Sequence, residues 1–215
     1  MAEGRSGGAA FSPLVVCEGC AALAPRLFGS VGWYAALARY PSAGMDFGMR
    51  YDKRMKSTHR FTIADHGLLR DLTVPVSRPE GGFISGNLTW GDILVSAHGR
   101  WWETMPIALE TAYGRTPFFQ YYAPKLEHLF REPAPGALLA DFLRAADGAV
   151  RAILGLPAAP EAPLAADCAD LRSIPADAPG PREYWQVQAP PFIAGLSVLD
   201  LIFNQGPEAP LYLRP

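Results

Sequence analysis

Apolar side chains recur along this chain at two different intervals. Leu138, Phe142, Ala146, Val150, Ile153 and Leu154 repeat at helical spacing, and Gly155 with Pro157 ends the run, which predicts an amphipathic helix over 138–154. Trp101, Met105, Ala108, Leu109 and Ala112 make a second stripe closed by Gly114. Pro106 suits a first helical turn, so this helix is expected to begin near Glu103 or Thr104. Ser197 can cap a short third helix over Val198–Asn204, stopped by Gly206 and Pro207. Before these helices, Phe47–Tyr51, His59–Asp65 and Leu68–Val76 are short and carry β-branched and aromatic residues. Gly67 joins the last two as a hairpin.

Breakers divide the remainder. Leu156–Leu164 (LPAAPEAPL) and Pro175–Arg182 (PADAPGPR) lack periodicity and read as surface connections. Residues 1–12, rich in Gly and Ser, read as a flexible tail, and 13–215 as one compact domain. Strands precede helices without regular alternation, so the expected class is α+β, with mainly antiparallel N-terminal strands packed against several helices. No repeat is visible.

Composition then narrows the function classes. A 49% apolar, 19% charged chain of 215 residues is a folded globular protein. Its net charge of −2 offers no general field for nucleic-acid phosphates. No apolar run approaches the roughly 20 residues of a membrane span, so stable membrane insertion is not expected. Three cysteines, Cys17, Cys20 and Cys168, are too few for a disulfide scaffold. They are expected as packing residues in a reducing, cytoplasmic setting.

The polar residues inside apolar segments are the candidate chemistry. Asp200 and Asn204 lie four apart on an otherwise apolar helix, so they share a face and need partners. Two readings follow: Asp200 pairs with an arginine such as Arg60 while Asn204 caps backbone, or both line a pocket. His59 and Arg60 are adjacent, and strand alternation puts them on opposite faces. Histidine can exchange protons near neutral pH, and arginine can grip a carboxylate or phosphate. Tyr51, Lys53, Arg54 and Lys56 form a basic run suited to a pyrophosphate or lipid phosphate, or to plain solvation. Trp101, Trp102, Tyr113, Phe118, Phe119, Tyr121 and Tyr122 can stack on sugars, though their spacing fits core packing better. Cys17 and Cys20 make a lone CxxC without a second pair for zinc. No dinucleotide, P-loop, HExxH or GxSxG motif is present, and no metal site is expected.

Three separated stretches carry a family resemblance. "YDKRMKSTHRFTI" (Tyr51–Ile63) with "LLRDLTVPV" (Leu68–Val76) is similar to a polar strand leading through an Asn-Arg pair to a Val-Pro-Val ending. "RWWETMPIALETAYGRTPFFQYYAPKLEHLF" (Arg100–Phe130) is similar to an aromatic helix followed by Tyr-Gly-x-x-Pro-Phe-Phe. "GLSVLDLIFNQGPEAPLYL" (Gly195–Leu213) is similar to a Leu-Ser-x-Leu-Asp-Leu-Leu-Phe-Asn-x-Gly-Pro-Glu ending. In order and spacing these resemble the WbqC-like family over about Phe28–Leu213. His59 stands where that pattern has Asn, and Met105 where its members usually carry histidine. The resemblance implies a place in bacterial surface-polysaccharide (O-antigen-like) biosynthesis, with glycine or acyl transfer to a sugar as the expected activity. A non-catalytic glycan-binding or scaffold role is the alternative, and a cysteine-dependent acyltransferase or hydrolase the third. Asp200, Arg60 and His59 are the expected catalytic groups, with Tyr51, Lys53, Trp102, Tyr113 and Asn204 at the substrate. The expected partner is a small molecule or sugar, and self-association and any cofactor are left open.

Overall fold

A small parallel sheet built from distant parts of the chain organises the protein. The computed structural model describes residues 19–80, 88–161, 166–187 and 191–214. In chain order its elements are β1 (Cys20–Leu23), α1 (Val31–Leu37), β2 (Ser42–Met45), β3 (Arg60–Asp65), β4 (Leu68–Thr73), β5 (Val76–Ser77), β6 (Leu94–Val95), α2 (Trp101–Tyr113), α3 (Phe119–Leu126), α4 (Leu139–Leu154), β7 (Ala169–Leu171) and α5 (Val198–Gln205). A 3-10 run, Gly206–Leu213, follows α5. This is a mixed α+β single domain. The tail expected over 1–12, and part of the 156–164 connection, lie outside the described residues.

β1 is the central strand, parallel to β2 on one side and to β7 on the other. The sequence reading anticipated the antiparallel strands and not this sheet. Its strands are short and small-sided (CAAL, SAGM, ADL) and give no periodic signal. The expected hairpin forms as β3–β4 in register Arg60↔Thr73 through Asp65↔Leu68. Its second strand stops at Thr73 because Pro75 cannot continue a ladder, and Val76 pairs instead with Val95. The strand expected over Phe47–Tyr51 is absent. The Asp46 side chain accepts from Gly48 N–H at 2.9 Å, a local turn that competes with extension, and only the Arg50↔Thr89 bridge remains.

α1 and α3 are not anticipated, and the three expected helices follow their bounds with two corrections. α2 starts at Trp101, because the left-handed Gly99 and Arg100 (φ 74 and 47) turn the chain into it and Trp101 Nε1–H bonds the Ser96 carbonyl at 3.0 Å. Pro106 therefore lies inside the helix, forgoing one bond near its start. The buried face of α4 is Leu139, Leu143, Ala146, Asp147, Val150, Arg151 and Leu154, whereas Leu138 is 37% exposed. A stripe read from apolar residues alone missed this rotation because two charges sit in the core. Arg151 Nε donates to Asp147 at 2.6 Å, Tyr34 Oη donates to the same carboxylate at 3.0 Å, and the Arg151 amines reach the carbonyls of Ala43 and Pro157. One apolar cluster runs from β1 through α1, β3, α2 and α4 to α5.

The cysteines also depart from expectation. Cys20, at the head of β1, is bonded to Cys168, immediately before β7 and 148 residues away. Cys20 is thus a cross-link and not a packing residue, which removes the cysteine-based case for a reducing compartment. Among the described residues no helix is long and apolar enough to cross a membrane.

Breaking the α4 pair tests the packing account. Arg151→Met keeps the aliphatic volume but strands Asp147, and is expected to cost about 3–5 kcal/mol in urea unfolding. A loss under 1 kcal/mol would mean the pair contributes little.

Candidate functional site

The carboxyl ends of parallel strands leave a crevice where the connecting loops diverge, a common position for ligands in such sheets. Here the loop after β1 (Ala24–Ser30) and the loop after β7 (Arg172–Asp177) part from each other. A cavity of about 260 Å³ lies between them, and Lys56, Ser57, Arg60, Thr62, Asp71, Gly195 and Ser197 complete its walls. Backbone bonds fix this junction. Leu27 N–H donates to the Thr58 carbonyl at 3.1 Å, Val31 N–H to Leu196 at 3.1 Å, and Ser197 N–H to Thr62 at 3.0 Å. Ser197 Oγ–H donates to the Phe28 carbonyl at 2.8 Å while Phe28 holds φ 44, a strained setting for a residue with a side chain. Gly195 at φ 75 is obligatory, since a Cβ there would lie 2.4 Å from the Asp177 carbonyl oxygen.

Three cations line the cavity: Arg26, Lys56 and Arg60. Arg26 is only 6% exposed, and its Nη2 donates to the Ile174 carbonyl, yet Nε and Nη1 are buried without a hydrogen-bond partner among the described residues. Burial pulls its pKa below the usual guanidinium value, and the charge of nearby Asp177 pulls the other way. A guanidinium withdrawn from water with most of its donors unmet is costly unless something meets them. Arg60 is better satisfied: Nε donates to Thr73 at 3.0 Å and Nη1 to Asp71 at 3.1 Å, while Thr62 donates to the other Asp71 oxygen at 2.8 Å. Cross-strand register places all four side chains on one hairpin face. A wider cleft of about 840 Å³ lies beyond β2. Several of its charges are paired within the protein, Arg172 with Asp46 and Asp170, and Asp147 with Arg151.

The expected site residues separate into three places. Arg60 lines the cavity with Lys56, which the basic run contained. His59 lies before β3, at the end of a 3-10 turn and not in the strand as expected, and its ring points to Val74. It is 8% exposed, and its Nδ1–H donates to the Val74 carbonyl at 2.8 Å, with burial lowering its pKa. Tyr51 packs edge-on to Trp90 beneath Arg78, Lys53 is exposed, and Trp102 packs on Trp101. None of these lines the cavity.

Asp200, Tyr113 and Asn204 instead meet inside the core. Asp200 is fully buried, so the expected pairing with Arg60 is not formed. Its Oδ2 accepts from Tyr184 Oη at 2.7 Å and Gln186 Nε2 at 2.9 Å. The Tyr113 hydroxyl faces the same carboxylate while accepting from Ala64 N–H, but Oδ1 has no bond of ordinary geometry. Desolvation outweighs these donors and raises the Asp200 pKa to about 6. Asn204 caps backbone, donating to the Asp200 carbonyl at 2.8 Å and accepting from Val187 N–H at 2.9 Å. Sequence reasoning missed Arg26, although it is the sole charged residue between Cys20 and Arg39, and that isolation was a usable signal.

Asp200 gives a signed pH prediction. With 3.8 as the unfolded value and about 6 folded, the native state holds the extra proton between these limits, so this group's contribution to stability rises as pH falls from 6 toward 4. Asp200→Asn keeps the acceptor for Tyr184 and Gln186. It is expected to exceed wild type at pH 8 by up to about 3 kcal/mol, the margin closing toward pH 4 in paired urea melts. A margin independent of pH would show that the carboxylate does not titrate in this range.

Among the described residues no group of three His, Cys, Asp or Glu is placed to hold a metal ion. The model of the WbqC-like protein family matches residues 48–170, which include Lys56, Arg60 and Asp71 but not Arg26. No curated protein and no solved structure matches the chain. With more than half its length covered by that family's pattern, the chain belongs to the WbqC-like protein family.

Proposed function

We propose that this protein acts in bacterial surface-polysaccharide biosynthesis by taking the carboxylate or phosphate of a sugar-linked precursor into the Arg26–Lys56–Arg60 cavity. The observation that supports this reading is the buried Arg26 guanidinium, two of whose nitrogens find no partner among the described residues. An anion at this position would satisfy them through charge-assisted bonds, with Lys56 and Arg60 adding charge. Asp71 and Asp177 keep the net charge of the cavity low, which favours a single anionic group over a polyanion.

Two activities use such a site. In the first, an amino-acid (glycine) or acyl group passes to a sugar, and the cations hold the donor's anionic part and steady the charge that builds on the attacked carbonyl oxygen. In the second, the protein binds or presents the glycan intermediate without chemistry. The Ser30 and Ser197 hydroxyls are occupied by backbone and His59 is turned to Val74, so the hydroxyl–base pair on the walls is Thr62 with Asp71, 2.8 Å apart.

Calorimetric titration with inorganic phosphate and acetate tests the shared premise. Arg26→Met is expected to weaken binding by roughly 10- to 100-fold, the worth of a charged hydrogen bond, while leaving the melting temperature of the ligand-free protein unchanged or higher. Arg60→Ala, already neutralised by Asp71, is expected to lose less. A melting temperature that drops sharply in Arg26→Met with anion affinity intact would overturn the assignment, since Arg26 would then be structural.

A further inference from the structure

Besides its cations, the Arg26 cavity carries two carboxylates, and they are not equivalent. Asp71 is engaged within the hairpin, one oxygen accepting from Thr62 at 2.8 Å and the other from Arg60 at 3.1 Å. Asp177 stands exposed at the rim, and its carboxylate takes part in no hydrogen bond or ion pair among the described residues. Its charge is near enough to act on Arg26, yet the guanidinium bonds only the Ile174 carbonyl. The backbone holds Asp177 in this place. Its carbonyl oxygen lies 2.4 Å from where a Cβ on Gly195 would stand, and the next carbonyl, that of Ala178, accepts from Gly32 N–H at 3.2 Å. A cation and an anion kept apart on one cavity leave a place for a ligand that reaches both, with an anionic group at one end and a hydrogen-bond donor at the other.

The donor can be an ammonium or a hydroxyl, and the charge balance chooses between them. Three cations against two carboxylates leave one positive charge in excess, which favours a ligand of net negative charge with neutral donors over a zwitterion. The anionic group follows from the number of cations. A phosphate offers them three acceptor oxygens, and a carboxylate two. Size sets the remainder: the cavity, about 260 Å³, falls below the roughly 300–1,000 Å³ of pockets that enclose drug-sized ligands. One sugar ring with its phosphate suits that volume, and a nucleoside in addition does not.

We infer that the ligand of this cavity is a sugar phosphate, a single monosaccharide ring carrying one phosphomonoester, bound with the phosphate towards Arg26 and Lys56 and a ring hydroxyl donating to Asp177. The inference rests on the anion site proposed above and adds Asp177 as its specificity-determining residue. Asp177 repels a bare phosphate and attracts one that brings a hydroxyl with it, so its removal acts with opposite sign on the two.

Calorimetric titration of the full chain with inorganic phosphate and with glucose, galactose and mannose 1-phosphates tests this. At least one sugar phosphate is expected to bind about tenfold or more tighter than inorganic phosphate, the worth of a hydrogen bond to a charged group. Asp177→Ala, at an exposed side chain, is expected to tighten inorganic phosphate about two- to fivefold by removing a repelling charge. The same variant is expected to bring that sugar phosphate down to the affinity of phosphate itself, and a partly unfolded variant would not gain on one ligand while losing on the other. If none of the three binds tighter than phosphate, or if the preference survives Asp177→Ala, the inference is overturned and the anion site stands. Glycine binding tighter than every sugar phosphate also overturns it, in favour of a zwitterion. If phosphate, acetate and sugar phosphates all fail to bind, the anion site itself fails and the inference goes with it.

Discussion

A guanidinium placed inside a protein must be met by acceptors or a counter-charge, and Arg26 has one carbonyl and a carboxylate at a distance. Much of the surrounding structure is arranged around that position. The loop after β1 carries Arg26 past a strained Phe28, the chain after β7 supplies the single acceptor, and Gly195 admits Asp177 beside it. The same loops hold α1 and α5 together through Ser30 and Ser197.

Three buried charges in this molecule show three outcomes of the same desolvation problem. Asp147 is answered by Arg151 and Tyr34, and the group is a closed structural unit. Asp200 has only neutral donors, so burial shifts its titration until the proton itself does part of the neutralising. Arg26 can do neither, because arginine does not lose its proton in proteins. Its charge is met among the described residues by the Ile174 carbonyl and the field of Asp177, which is the setting the proposed anion site rests on.

What could be read from sequence tracks the strength of local signals. The β3–β4 hairpin and α5 carry their own instructions, in Gly67 and in the Ser197 cap, and both form within three residues of expectation. α4 was legible in extent but not in rotation, because Asp147 and Arg151 look like surface residues until Tyr34, more than a hundred positions away, is brought to them. The parallel sheet was invisible, since its register depends on pairing between segments that share no local pattern. The site was half legible for the same reason. Lys56 stands in a segment already marked as basic with Arg60 close behind it, whereas Asp200 draws attention as a lone carboxylate and is bonded to Tyr184 and Gln186, just beyond the Pro175–Arg182 connection, in a stretch with no periodic signal.

β1 lies near the N-terminus, and one of its neighbours, β7, is made about 150 residues later in the chain, as the 148-residue separation of Cys20 and Cys168 records. During synthesis, the central strand must therefore wait with one edge unpaired until the 148 residues that separate Cys20 from Cys168 have been made. Loop-closure entropy has to be met before that contact returns any stability, so completion of the sheet is a late event in folding. Truncation to the stretch 48–170 would discard β1, α1 and α5 together and leave β7 with nothing to join.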